Sequence, residues 1–141
     1  MTAQRFELDA NSSSLSPFRQ KLKSLLETMG LGEKAVHDVI LSVDEALTNV
    51  IRHAYGGEKN AKKIQVMLSD QTKQIEIVIE DQGPCFDPRT QPAPELPPQK
   101  PGGLGIHFVR TLMDRVDYEA LKPQGNRLRL IKYKKEKGER S

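Results

Sequence analysis

At 141 residues, 36% hydrophobic and 29% charged, the chain carries enough apolar material for one compact core, and neither a disordered chain nor a bilayer-spanning helix is expected. Its single cysteine, Cys85, allows no internal disulfide and no Cys/His metal cluster, and Met1–Glu7 lacks the apolar stretch of a secretory signal, so a soluble cytoplasmic protein is expected. The net charge of +3 is confined to the end of the chain, where Arg127–Ser141 carries +5 and leaves −2 for everything before it; with 5% aromatics, neither nucleic acid nor membrane is an expected partner.

Phe6 and Leu8 alternate with Arg5 and Glu7, which predicts a first strand. Ser16 followed by Pro17 reads as a helix N-cap with proline in the first turn. Leu15, Phe18, Leu22, Leu25, Leu26 and Met29 recur at spacings of three and four, so this first helix has one apolar face, ended by Gly30 and Gly32. A second helix is expected from about Glu33 to Tyr55, closed by Gly56-Gly57. At 100° per residue Val36, Ile40, Val43, Leu47, Val50 and Ala54 share one side, and Ser42, Glu45, Asn49 and His53 share the other, with Arg52 beside them.

Two alternating strands follow, Ile64–Leu68 and Ile75–Glu80, joined by a Ser69–Thr72 hairpin. Seven of the nine prolines then fall between Pro84 and Pro101, each removing a backbone donor, so this segment forms neither helix nor interior strand and reads as a lid over a site. Gly102, Gly103 and Gly105 open a third helix with Ile106, Val109, Arg110 and Met113. Val116–Leu121 and Arg127–Tyr133 complete an antiparallel pair turning at Lys122–Asn126. The expected fold is an α+β two-layer sandwich, a mixed and mainly antiparallel sheet covered on one face by three helices. It forms one domain over residues 1–141, with a lid at 84–103 and a basic tail at 134–141.

Three features carry chemistry. Glu45, Asn49 and His53, spaced i, i+4 and i+8, project together, and asparagine at a helix centre costs several tenths of a kcal/mol relative to alanine. A carboxylate one turn from a carboxamide suits a magnesium ion with a general base beside it, although any amphipathic helix also has a polar side facing water. Asp81 continues the inward phase of Ile75, Ile77 and Ile79. A buried carboxylate needs hydrogen-bond donors, and the exocyclic amino group of adenine is one. Gly83 after it lets a backbone or a ligand approach. The glycines at 102–105 precede a helix whose N-terminal amides suit phosphate, without the Lys-Ser or Lys-Thr of a P-loop.

Asp44–Tyr55 resembles the N box of the GHKL ATPase/kinase superfamily, with Glu80–Gly83 similar to its G1 box. Gly103-Leu104-Gly105 resembles the G2 box, and Gly125–Leu128 the final glycine turn. The compact length and the form of the N box are most similar to the anti-sigma factor serine/threonine kinases of bacterial partner-switching systems. The resemblance implies the Bergerat ATP-binding fold, ATP and Mg²⁺ as cofactors, and Glu45 as the general base toward a substrate serine. It further implies Asn49 as metal ligand, Asp81 and Gly83 at the adenine, and Gly103, Leu104 and Gly105 at the phosphates. His53 either touches phosphate or caps its helix, Lys100 is a lid cation near the γ-phosphate, and Asn126 belongs to the nucleotide site with its contact open. The implied partners are an anti-anti-sigma protein of the STAS type and a sigma factor, and a homodimer is plausible through the open edge of the first strand. Two other readings use the same pocket. One is a catalytically weak, nucleotide-gated binding module. The other is a histidine-kinase-like catalytic domain, for which His37 is the sole phospho-acceptor candidate and otherwise an ordinary surface histidine.

Overall fold

The computed structural model describes residues 2–57, 62–87 and 105–134. Five strands, β1 (Thr2–Asp9), β2 (Lys63–Asp70), β3 (Gln74–Asp81), β4 (Arg115–Ala120) and β5 (Asn126–Tyr133), form one sheet in the order β1-β2-β3-β5-β4. Each of its four pairings is antiparallel, where sequence led us to expect a mixed, mainly antiparallel sheet. Three helices accompany it, α1 (Leu15–Leu26), α2 (Glu33–Asn49) and α3 (Gly105–Leu112).

The inward phase read from the sequence is the one that is buried. Ile64, Val66, Leu68, Ile75, Ile77, Ile79 and Leu130 are at most 1% exposed and share a core with Leu22 and Leu26 of α1 and Val39, Val43 and Leu47 of α2. Phe6 of β1 meets Phe18 of α1 edge to face, ring centres 5.4 Å apart. The outward phase mixes charged residues with a small apolar strip of Met67, Val78 and Ile131, and Arg127 and Arg129 on it are paired. Arg127 bonds Glu80 at 2.6 Å and Glu119 at 2.8 Å, and Arg129 bonds Glu76 at 3.1 Å. Lys132 and Lys134 pair with Asp38 and Asp70. The basic residues of the last strand are thus largely neutralised by neighbouring acids.

Two local expectations differ from the structure. The first helix is not capped by Ser16. Asn11, in extended conformation, accepts the Ser14 amide at 3.2 Å and caps a 3-10 turn over Ser12–Ser14, so α1 begins at Leu15 and Ser16 lies inside its first turn. The second helix does not run as one α-helix to Tyr55. After Asn49 it widens into a π-helical turn, Val50–Ala54, closed by the Tyr55 amide on the Val50 carbonyl at 3.0 Å. The polar side of α2 is in part buried: Ser42 is fully buried and Asp38 is 5% exposed. α3 packs against α2. Asp38 is held by Lys34 at 2.9 Å and Lys132 at 3.4 Å, and Lys132 also bonds the Leu112 carbonyl at the end of α3.

Candidate nucleotide site

The site forms where the C-terminal end of α2 crosses the ends of β3 and β5. Register sets its floor, because Asp81 and Asn126 are directly opposed across the β3–β5 pair and Ala120 of β4 faces Asn126 from the other side. A cleft partly open to solvent is lined by Asn49, His53, Asp81 and Asn126 with Ala46, Val50, Ala54, Ile79, Phe86, Tyr118 and Leu128. Apolar walls with a few convergent polar groups are what a heteroaromatic ligand needs.

Asp81 is 3% exposed, and burial pushes its carboxyl above the usual range, opposed by hydrogen bonds from Asn126 and Gly83. Both of those bonds fall on one oxygen. Oδ1 accepts the Gly83 amide at 2.8 Å and the Asn126 carboxamide at 2.9 Å, which leaves Oδ2 as the acceptor for a donor in the cleft. Gly83 is needed for its size: a Cβ there would lie 2.5 Å from the Ala54 carbonyl oxygen and 2.7 Å from the Ala54 Cβ. The close approach anticipated for Gly83 is therefore made by the backbone of the π-helical turn. Tyr55 fastens the same junction, donating to the Lys63 carbonyl and accepting the Gln82 amide, both at 2.8 Å.

Glu45 and Asn49 sit one turn apart on α2. Asn49 lines the cleft, and Glu45 is half-buried beside it, outside the lining. Its Oε2 is buried with no hydrogen-bond partner, a condition it shares only with Ser42 Oγ among the described residues. Burial raises the Glu45 carboxyl above the ordinary glutamate range, with Arg52 pulling it down and Asp44 pushing it up. His53 stacks on Phe86, ring centres 5.8 Å apart, and burial followed by the Arg52 charge lowers its pKa.

Residues 8–132 match the model of the histidine kinase-like ATPase domain. The chain belongs to this family. GHKL-type sequences similar to it include the serine-protein kinase RsbW of Bacillus licheniformis, 34% identical over 70% of this chain and 66% of the relative. RsbW of Staphylococcus aureus is 30% identical over 88% of this chain and 82% of its own length. For RsbW of Listeria innocua the figures are 29%, 93% and 87%. The fold is shared with the RsbU–RsbW chain of a Mycobacterium tuberculosis protein, at TM-score 0.64 and 15% identity over 94% of this chain and 32% of that one.

Within this ATPase domain the structure brings Asn49, His53, Asp81 and Asn126 to one cleft, with Glu45 and Gly83 at its margins. Lys100, Gly103 and Leu104 lie outside the described residues, and Gly105 is the first residue of α3. Tyr118 and Phe86 were missed from sequence. Tyr118 was visible as an inward-phase residue of β4, whereas Phe86 stands in a proline-bounded loop with no periodicity to mark it. Among the described residues no cluster of three or more His, Cys, Asp or Glu is placed to hold a metal, and no helix is long and apolar enough to cross a membrane.

Proposed function

We propose that residues 1–141 form a Mg-ATP-dependent serine/threonine protein kinase that regulates a sigma factor by phosphorylating a serine of a STAS-type anti-anti-sigma partner. One observation carries the reading: a half-buried carboxylate with an unpartnered oxygen, Glu45, lies one helical turn from a cleft-lining carboxamide, Asn49. A structural glutamate would not be left with an orphaned oxygen, because an unmet buried acceptor costs about 1–3 kcal/mol. A base awaiting a hydroxyl proton accepts that cost as part of its role.

Asp81 Oδ2 accepts the exocyclic amino group of adenine, and the apolar wall of Ile79, Val50 and Leu128 packs on the purine. The donor set fits a magnesium ion, since the Asn49 carboxamide offers a hard oxygen ligand on the cleft wall and phosphate and water would complete the shell. When bound, the ion offsets charge on the transferred phosphoryl group. Glu45 takes the serine proton as the serine oxygen bonds to the γ-phosphorus and the bond to the β-phosphate oxygen breaks. The new negative charge on the partner then opposes its association with the kinase. By resemblance the 84–103 segment would serve as lid and Lys100, Gly103, Leu104 and Gly105 would bind the phosphates, and a cytoplasmic setting with a β1-edge homodimer completes the reading.

The test is a thermal-shift titration with ATP and ADP, with and without Mg²⁺, followed by phosphoserine detection on co-purifying proteins. A ligand at 100 times its dissociation constant adds about 2.7 kcal/mol of stability. Absence of a shift with either nucleotide overturns the reading. A shift without phosphoserine favours the nucleotide-gated binding module instead.

A further inference from the structure

Asn126 lines the cleft, yet none of its hydrogen-bonding capacity is left for a ligand. Its two amide hydrogens go to Asp81 Oδ1 and to the Pro84 carbonyl, both at 2.9 Å. Its carbonyl oxygen accepts the Phe86 amide at 2.8 Å and the Tyr118 hydroxyl at 2.6 Å, which fills both lone pairs. Tyr118 in turn accepts the Phe86 amide at 3.1 Å, closing a ring of bonds that joins β4, β5 and the start of the loop after β3. The orientation of the carboxamide follows from its partners, because Pro84 offers only an acceptor and Phe86 only a donor.

We propose that Tyr118 and Asn126 are positioning residues that set the base specificity of this site through Asp81, without touching the nucleotide themselves. The inference rests on the nucleotide-binding reading above. Asn126 donates to Oδ1 and so fixes which carboxylate oxygen is presented to the cleft. Tyr118 holds Asn126 in turn. An ionised, oriented carboxylate accepts from the 6-amino group of adenine and repels the 6-oxo group of a hypoxanthine or guanine base. Hydrogen-bond donation from Asn126 also opposes the effect of burial on the Asp81 carboxyl, so its loss favours the protonated acid, which no longer discriminates between the two groups. The other titratable groups facing Asp81 are Tyr55 at the end of the π-helical turn, Tyr118 of β4 and His53 across the cleft, with Cys85 and Asp87 acting on Tyr118.

The test compares ATP with inosine triphosphate, which carries a 6-oxo group, by calorimetric titration of the whole chain between pH 5.5 and 8. Taking the ratio of the two affinities cancels His53 and any other group that acts on the phosphates. Wild type should prefer ATP by about tenfold or more, the worth of a hydrogen bond to a charged group. In Asn126→Leu the preference should collapse in the acid range and recover as pH rises, the midpoint lying above that of wild type. Tyr118→Phe, which removes only the hydroxyl, should fall between. Asp81→Asn should abolish the preference at every pH. The proposal is overturned if Asn126→Leu keeps the wild-type ratio and midpoint, or weakens both nucleotides equally at all pH values. A wild type that binds neither nucleotide overturns the underlying reading instead, and one that binds both without preference overturns this proposal alone.

Discussion

Glu45 is the residue on which the proposed catalysis turns, and its environment gives two opposite signatures. Since burial raises its carboxyl in the fold, phosphoryl transfer should rise with pH along a limb displaced above the ordinary glutamate range. That limb should vanish from the residual activity of Glu45→Ala. Glu45→Gln should cost about 10²–10⁴ in transfer rate while nucleotide affinity stays close to wild type. In stability the sign reverses. A carboxyl whose folded pKa exceeds its unfolded one contributes fully below the unfolded pKa and loses that contribution as pH rises through the folded pKa. Glu45→Gln should therefore melt above wild type at neutral pH, and the gap should close in acid. Asn49→Ala should weaken ATP binding in the presence of Mg²⁺ and leave Mg-free binding little changed, as calorimetry with and without chelator would show.

Among the elements, the π-helical turn does the most to shape the site. An α-helix continued through Val50–Ala54 would rotate and shift His53 and Ala54 relative to β3. The wider turn instead seats Ala54 against Gly83, where no Cβ fits. Gly83→Ala sets a methyl against backbone, not against a flexible side chain, so relief requires moving the turn itself. A loss of about 1–3 kcal/mol in urea unfolding is expected, together with weaker ATP binding as the cleft wall shifts. Stability lost without any change in affinity would mean that the turn and the cleft are independent. The motif that resembles an N box thus places Asn49 and His53 on the cleft lining, while the departure from α-helical geometry within it, which sets Ala54 against Gly83, was not legible in the sequence.

Across the whole molecule, Lys132 joins three elements: it leaves β5, pairs with the buried Asp38 of α2 and bonds the last carbonyl of α3. Burial alone would raise the Asp38 carboxyl, but Lys34 and Lys132 outweigh it and hold it below the usual range. Here the linkage runs the ordinary way for an acid: stability is present above the unfolded pKa and lost as pH falls through the folded one. Lys132→Met should destabilise the fold by about 3 kcal/mol at neutral pH, and its melting curve should approach that of wild type in acid. A constant difference at all pH values would assign the loss to packing. The outward ladder of Arg127, Arg129 and their acids is exposed enough that such pairs contribute about 0–1 kcal/mol each, so it serves solubility more than stability.

The sequence by itself determined the inward and outward phases of the strands, the apolar face of α1, the inward Asp81 and the grouping of Glu45 with Asn49. Each follows from a period of 2 or 3.6 along a single element, which is local information. Tertiary structure alone decided that Ser42 and Asp38 of α2 are buried and that the space beside Gly83 is filled by Ala54. It also decided that Asn126 hydrogen-bonds to Asp81, Pro84, Phe86 and Tyr118, with Tyr118 and Phe86 completing the ring. Those outcomes depend on which element lies against which, and burial of a polar group is a property of the pair and not of either sequence segment.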